Sequence, residues 1–270
     1  MIQNEVIRTL MSRKSIRKFK LDVPSKQIVA TVVRAGMQAP FASQACSVVL
    51  LRDRKKNAFN APLMFVVCAD IHRVELFMRE RGWKLKTNDL TMLLFAMQDA
   101  SYMAENMVIA AESQGMGSCY IGHAMMIAKT LKKQLKLPDG VFPFVMLAMG
   151  FPAENPPVRP RYPLDYVFFE GEYPKLERKR VRAAMKSMDE YYLKVGYYRD
   201  LKAKIPIQDK ARKDVFTYDD YTWTEHISRK WGQWYPGPEE QLRQLEACGF
   251  EITQRKTNVK AKPKKKRPKI

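Results

Sequence analysis

From Leu90 to Ala111 the chain is apolar on nearly every side, a stretch of helical length that one core face cannot satisfy. The pattern from about Asp89 to Gln114 predicts a single long helix, enclosed by the core or by a partner subunit and stopped by Gly115 and Gly117. Asp99 and Glu105 interrupt it, and no run of about 18 apolar residues is free of charge, so no membrane span is expected.

The segments around it alternate in type. Val6, Ile7, Leu10 and Met11 form a helical stripe within Asn4–Met11, ending just before Ser12-Arg13-Lys14-Ser15. Pro24-Ser25 opens a second helix to about Met37, with Ile28, Val29, Val32 and Val33 on one side, and the next residues to Gln44 read as a loop. Ser47–Leu51, Leu63–Ala69, Ser118–Ile121 and Phe144–Met149 read as short buried strands. Met125–Leu135 is an amphipathic helix closed by Leu137-Pro138. Leu164–Phe169 predicts a further strand, and the rest to Phe250 is helical or irregular, too polar for a large core of its own. Helices interleaved with about four strands imply an α+β layered fold rather than a regular βαβ repeat.

Composition narrows the function classes. Apolar residues make up 46% and aromatics 11%, which sets aside wholesale disorder and disulfide scaffolds. The formal charge is +20, from 48 Lys and Arg against 28 Asp and Glu. Nine of the basic residues fall between Ile252 and Ile270, where no acidic residue occurs. That run reads as a solvated, disordered tail, or as a patch for nucleic acid, anionic lipid or targeting. Cys46, Cys68, Cys119 and Cys248 are far apart with no CxxC, so a zinc or iron–sulfur site is not expected, and reduced thiols in a cytoplasmic protein are. The N-terminus lacks the basic-then-apolar run of a signal peptide. There is no GxGxxG, Walker, paired-carboxylate or Ser/His/Asp spacing.

Four segments carry more information together than alone. They are Arg13-Lys14-Ser15-Ile16-Arg17-Lys18-Phe19, the run from Ala110 to Gly122 (AAESQGMGSCYIG), the run from Leu147 to Pro156 (LAMGFPAENP), and Arg159-Pro160-Arg161-Tyr162-Pro163. Each basic cluster by itself reads more readily as solvated surface charge. In this order and spacing they resemble the FMN-dependent nitroreductase and flavin reductase family, particularly its NADPH-preferring, oxygen-insensitive branch. The resemblance implies a three-layer fold with a central, mainly antiparallel sheet flanked by helices, and a C-terminal extension wrapping the partner of a homodimer. It divides the chain into an FMN-binding core at 1–170, an extension at 171–250 and the basic tail at 251–270.

The same resemblance assigns roles. FMN needs cations and N–H donors for its phosphate and an apolar slot for its ring. Arg13, Lys14, Ser15, Arg159 and Arg161 would take the phosphate and ribityl end, where Arg offers a bidentate fork. Arg17 would act as the catalytic side chain beside flavin N1 and O2, where negative charge develops on hydride arrival. Tyr120, Ile121, Gly122 and His123 would pass under the ring, Gly122 allowing close approach and His123 being a candidate proton donor, or else a partly buried surface residue. Pro40, Phe41, Ala42 and Gln44 would flank the ring, with Cys46-Ser47 matching the NADPH-preferring branch. Phe41 and Gln44 depart from the serine-rich pattern common at that loop. So does the short stretch Arg52–Asn60, where Lys55 or Lys56 would replace a missing flavin contact. Arg199, Lys202 and Lys204 are candidates for the nucleotide's extra phosphate, or a charged surface loop.

The implied activity is FMN-dependent transfer from transient NADPH or NADH to a small electron-poor acceptor such as a nitroaromatic, quinone or flavin. Reductive dehalogenation or ene reduction on the same flavin is the alternative acceptor chemistry. A nucleic-acid-associated role through the tail is the alternative of another class.

Overall fold

The computed structural model describes residues 4–85, 89–233 and 237–252. The chain forms two units, one from residues up to Pro156 together with those from Pro238 onward, the other from Pro157–Gly237.

The first unit is built on a four-stranded sheet of β1 (Cys46–Leu51), β2 (Leu63–Asp70), β3 (Gly117–Ile121) and β4 (Val141–Gly150), in the order β1-β2-β4-β3. All pairings are antiparallel, with Val48 opposite Val67, Phe65 opposite Leu147 and Cys119 opposite Ala148. Alternation along the strands sends side chains to two apolar layers. On one face Leu63, Phe65, Val67, Leu147 and Met149 pack against Val29 and Val32 of α2 (Lys26–Met37) and Met103, Met107 and Val108 of α4 (Asp89–Ser113). On the other, Met64, Cys119 and Ala148 meet Ile16 and Phe19, while Val66 and Cys68 pack with Leu135 of α5 (Ala128–Leu135). The expected α+β architecture and its mainly antiparallel sheet are therefore present.

Local chemistry sets the boundaries. Asn4 caps α1 (Glu5–Ser12) through its side-chain oxygen on the Ile7 N–H, and Ser25 caps α2 on the Ile28 N–H. Gly115, with φ +72°, ends α4. Gly117 serves close packing instead. A Cβ there would lie 2.4 Å from Ile16 Cγ1, so only glycine lets the Arg13–Phe19 segment lie against β3. A 3-10 turn at Gly122–Ile127 occupies the start of the helix expected from Met125. The short, charged helix α3 (His72–Glu80) has no counterpart in the sequence reading.

The helix α10 (Pro238–Ala247) and the residues after it belong to the first unit. Phe250 is buried edge-to-face on Phe142 with ring centres 6.2 Å apart, and Gln244 accepts the Lys129 N–H at 2.9 Å. The expected grouping of 171–250 thus divides at Pro238, because Cys248 and Phe250 complete the first unit's core.

The second unit holds α6 (Leu164–Val167), α7 (Arg178–Lys194), α8 (Tyr197–Leu201) and α9 (Trp223–Gln233). Leu164–Phe169 is not a strand: the segment turns into α6 after Pro163, Leu164, Val167 and Phe168 stay exposed, and the second unit holds no strand among the described residues. The core of this region is small, as its polarity implies, and is aromatic. Tyr192, Tyr198, Tyr221 and Met188 are buried together, tyrosine rings supplying the apolar area that aliphatic side chains supply elsewhere. Arg229 is buried beside them, bidentate on Asp214 and bonded to Glu225. The lysine-rich run at 255–269 lies outside the described residues.

Candidate active site

Three of the four motif segments clasp one another in the first unit. Ile16 N–H donates to Ser118 O at 2.8 Å, Lys20 N–H to Phe151 O at 2.8 Å and Ala153 N–H to Lys18 O at 2.9 Å. The Glu154 carboxylate accepts the Arg17 and Lys18 N–H groups, and Lys14 bonds Asn155. Ile16 and Phe19 of this segment are buried, while Arg17 and Lys18 between them are exposed.

Arg13, Lys14 and Ser15 stand at the C-terminal end of α4, where three buried polar atoms lack partners among the described residues: Arg13 Nη1, Ser118 Oγ and Glu112 Oε1. Unpaired buried donors carry a substantial penalty, so such a cluster is a place where a polar ligand or water would be stabilising. Burial pushes the Glu112 carboxyl above its usual range, against the lowering influence of Arg13 and Lys14. Tyr120 donates its hydroxyl to Glu105 at 2.8 Å, and burial together with that carboxylate pushes its phenol strongly up, so it stays neutral. Ile121 is half-buried, while Gly122 and His123 are exposed on the following turn. A side chain at Gly122 would meet open space.

Pro40, Phe41, Ala42 and Gln44 form a second cluster, beside the middle of α4. Asp99, buried on that helix, accepts the N–H groups of Ala42 at 2.7 Å, Ser43 at 3.1 Å and Ala45 at 2.9 Å. Gln44 takes a positive φ of 50° within this anchored loop. Pro40, Phe41 and Gln44 line a cavity of about 240 Å³ with Cys46, Arg73 and Met103. The Cys46 thiol is pushed up to about 11, chiefly by burial and further by Asp99, and so is not a thiolate at neutral pH. Asp99, which anchors the loop, and Glu112, beside Arg13, are 13 positions apart on α4, about 20 Å along the axis.

The remaining basic candidates are largely engaged within the second unit. Arg159 donates to the Tyr197 hydroxyl at 2.8 Å with its guanidinium over the same ring, and Arg161 bonds the carbonyls of Arg159 and Pro160. Lys204 pairs with Asp214 at 3.0 Å and Arg199 with Asp200 at 3.0 Å, while Lys202 closes α8.

In the shortened stretch, Lys56 pairs with Asp53 at 3.1 Å and Lys55 is exposed. The residue this stretch brings to Arg17 is Phe59, its ring centre 5.9 Å from the guanidinium carbon. Sequence reasoning does not single out Phe59, Asp99, Glu112 or Glu154. Asp99 is visible there only as an interruption of an apolar helix, and Glu112 and Glu154 only as members of the motif runs. Among the described residues no helix is long and apolar enough to cross a membrane, and no group of metal-ligating side chains gathers.

The family model named Nitroreductase family matches residues 52–151. An FMN reductase (NADPH) of Bacillus subtilis (strain 168) is 32% identical over 186 residues, 63% of this chain and 75% of that protein. The chain belongs to the nitroreductase family. An oxygen-insensitive NADPH nitroreductase of Salmonella typhimurium extends the likeness within the family to 239 residues at 28% identity, covering 83% of this chain and 89% of the relative. The solved structure of B. megaterium NfrA2 shares its fold at a TM-score of 0.80 and 25% identity, over 93% of this nitroreductase-family chain and 100% of that one. The family match begins after the Arg13–Phe19 segment and takes in the shortened Arg52–Asn60 stretch.

Proposed function

We propose that this chain is an FMN-dependent NAD(P)H oxidoreductase acting on small electron-poor acceptors, assembled as a homodimer in the cytoplasm. The observation that carries the reading is the buried, unpaired N–H of Arg13 beside Lys14 and Ser15, in a motif segment held by hydrogen bonds to two others. A phosphate carrying about two negative charges meets what that cluster lacks: an acceptor for a fixed guanidinium in a partly dry setting. Bound FMN would supply the redox chemistry between NADPH or NADH and a nitroaromatic, quinone or flavin acceptor.

Within the chain, Arg13, Lys14 and Ser15 hold the phosphate end. Arg17 presents an exposed cation to the ring edge where negative charge develops, and Tyr120 to His123 line the floor. Gly122 has the free space that a close ligand approach needs. Pro40, Phe41, Ala42 and Gln44 supply the opposite wall from the second copy. Two observations support this sharing: Asp99, which anchors the 40–45 loop, and Glu112, beside Arg13, stand about 20 Å apart along α4, and α4 exposes Leu90, Leu94, Phe95 and Tyr102. Two copies packed antiparallel along α4 would cover that apolar stripe and bring one chain's 40–45 loop to the other's Arg13–Arg17 segment. The four free cysteines suit a reducing compartment.

An absorption spectrum tests the proposal. Purified protein, or protein supplied with FMN, is expected to hold a flavin band that NADPH or NADH bleaches anaerobically, with turnover of nitro and quinone acceptors above that of free FMN. A colourless preparation that takes up no FMN overturns it.

A further inference from the structure

We infer that Phe59 is a positioning residue for Arg17: its ring holds the guanidinium in place for the flavin edge at which charge develops. The inference rests on the proposed FMN site and concerns the one stretch, Arg52–Asn60, in which this chain departs furthest from the family's pattern.

The Arg17 guanidinium has no carboxylate or carbonyl partner among the described residues; the contact it makes is with the Phe59 ring, at 5.9 Å. Its neighbour Arg54 is a contrast. That guanidinium donates to Phe19 O at 3.0 Å and Lys20 O at 2.8 Å, so its charge is committed to tying the short stretch to the Arg17 segment. An exposed arginine without such ties samples many rotamers, and ordering it costs entropy at every encounter. An aromatic face over the guanidinium restrains the plane without neutralising the charge or occupying an N–H. This is what a cation kept free for a ligand requires.

The backbone at Phe59 supports a role beyond packing. Phe59 and Asn60 take consecutive positive φ values of 58° and 50°. Asparagine accepts that region readily, whereas for a bulky residue it is an outlier, and outliers of this kind persist only where the surroundings impose them. Here they do. Asn57 is buried and donates its side-chain amide to Leu51 O and to Ala61 O at 2.9 Å, and Ala61 is fully buried. The turn between these anchors leaves Phe59 41% exposed, so its ring is not holding the core together. A strained, half-open aromatic residue whose ring faces a single uncommitted cation is explained by that cation.

Sulfite titration of the FMN-loaded protein tests this, because sulfite adds to bound flavin more tightly when a positive charge is fixed beside N1 and C2=O, and the bleached band reads it without turnover. Phe59→Gly suits the positive φ and so keeps the fold, which a melting curve checks. It is expected to weaken sulfite binding about two- to fivefold, the range of a partly exposed cation–π contact, while Phe59→Tyr retains it and Arg17→Ala weakens it further. Sulfite affinity unchanged in Phe59→Gly but lowered in Arg17→Ala overturns the role of Phe59 alone. No FMN uptake, or sulfite affinity indifferent to Arg17→Ala, overturns the underlying site and this inference with it.

Discussion

The Asp99 carboxylate accepts the Ala45 N–H at 2.9 Å, joining the middle of α4 to a loop 54 residues earlier in the chain. With the Ala42 and Ser43 amides on the same group, one buried anion fixes the loop that carries Phe41 and Gln44. Hydrogen bonds to a charged group contribute more than neutral ones, and losing the acceptor would strand three amides. Asp99→Ala is expected to destabilise the fold by about 3 kcal/mol, with Asp99→Asn intermediate because its amide can accept from fewer donors. Urea unfolding of the three proteins measures this. An Asp99→Ala variant as stable as the wild type would show that the loop needs no such anchor.

Arg13 leads to a different signature, loss of ligand without loss of fold. One charge-assisted contact to a phosphate is worth enough that Arg13→Ala should raise the dissociation constant for FMN about tenfold or more. Fluorescence quenching of FMN on titration with apoprotein reads the affinity. FMN binding unaltered in this variant would remove Arg13 from the phosphate site.

Glu112 makes the same corner pH-dependent. Its folded pKa is raised by burial, so the folded state holds the proton more tightly than the unfolded chain does. The favourable contribution is present below the ordinary glutamate range and is lost as pH rises through the raised value. Glu112→Gln should therefore gain stability relative to wild type at neutral pH and lose that advantage in acid. Denaturation midpoints from acid to neutral pH decide the sign, and an advantage confined to acid would contradict it.

The elements that can be read from sequence are those where one physical rule dominates. The all-round apolar α4, the β-branched strands, and the helix that opens at Pro24-Ser25 follow from periodicity and local chemistry, and all are in the structure. The Leu164–Phe169 segment defeats its strand-like composition because β-branched and aromatic residues suit a strand only where another strand offers an edge. The second unit's core is hidden from a hydropathy pattern because Tyr192, Tyr198 and Tyr221 count there as half polar, although their rings bury like apolar ones. Within the site, motif order points to Arg13–Phe19 and to Pro40–Gln44. It cannot show their separation along α4, because that separation arises only when the helix is laid across the sheet.

That separation has a consequence for assembly. Leu94 and Tyr102 lie exposed on α4, eight positions apart and hence on neighbouring faces of the helix. A charge at the centre of the proposed contact would be desolvated without a partner. Leu94→Glu is expected to shift the protein from dimer to monomer on size-exclusion chromatography with light scattering, and to weaken FMN binding although Arg13 and Arg17 are untouched. A monomeric variant that binds FMN as tightly as wild type would mean that each chain completes its own site.

In the second unit the corresponding sensitivity is to acid. Arg229, buried by the tyrosine cluster, holds Asp214 through two hydrogen bonds at 2.7 and 3.0 Å, and Lys204 adds a third contact at 3.0 Å. Arg229 first, then Lys204, lowers the Asp214 carboxyl well below the usual carboxylate range. A depressed folded pKa contributes stability that is present above the ordinary aspartate value and is lost as pH falls toward the folded one. Residues 197–221 should therefore lose hydrogen-exchange protection in acid before β2 and β4 of the first unit do. Asp214→Asn should show the weakened protection already at neutral pH, with little further change on acidification. Arg229→Lys, which keeps the charge but not the paired geometry, should fall between the two. Protection across 197–221 that is equal in wild type and Asp214→Asn at neutral pH would show that the tyrosine rings, not the buried arginine and its carboxylates, hold this unit together.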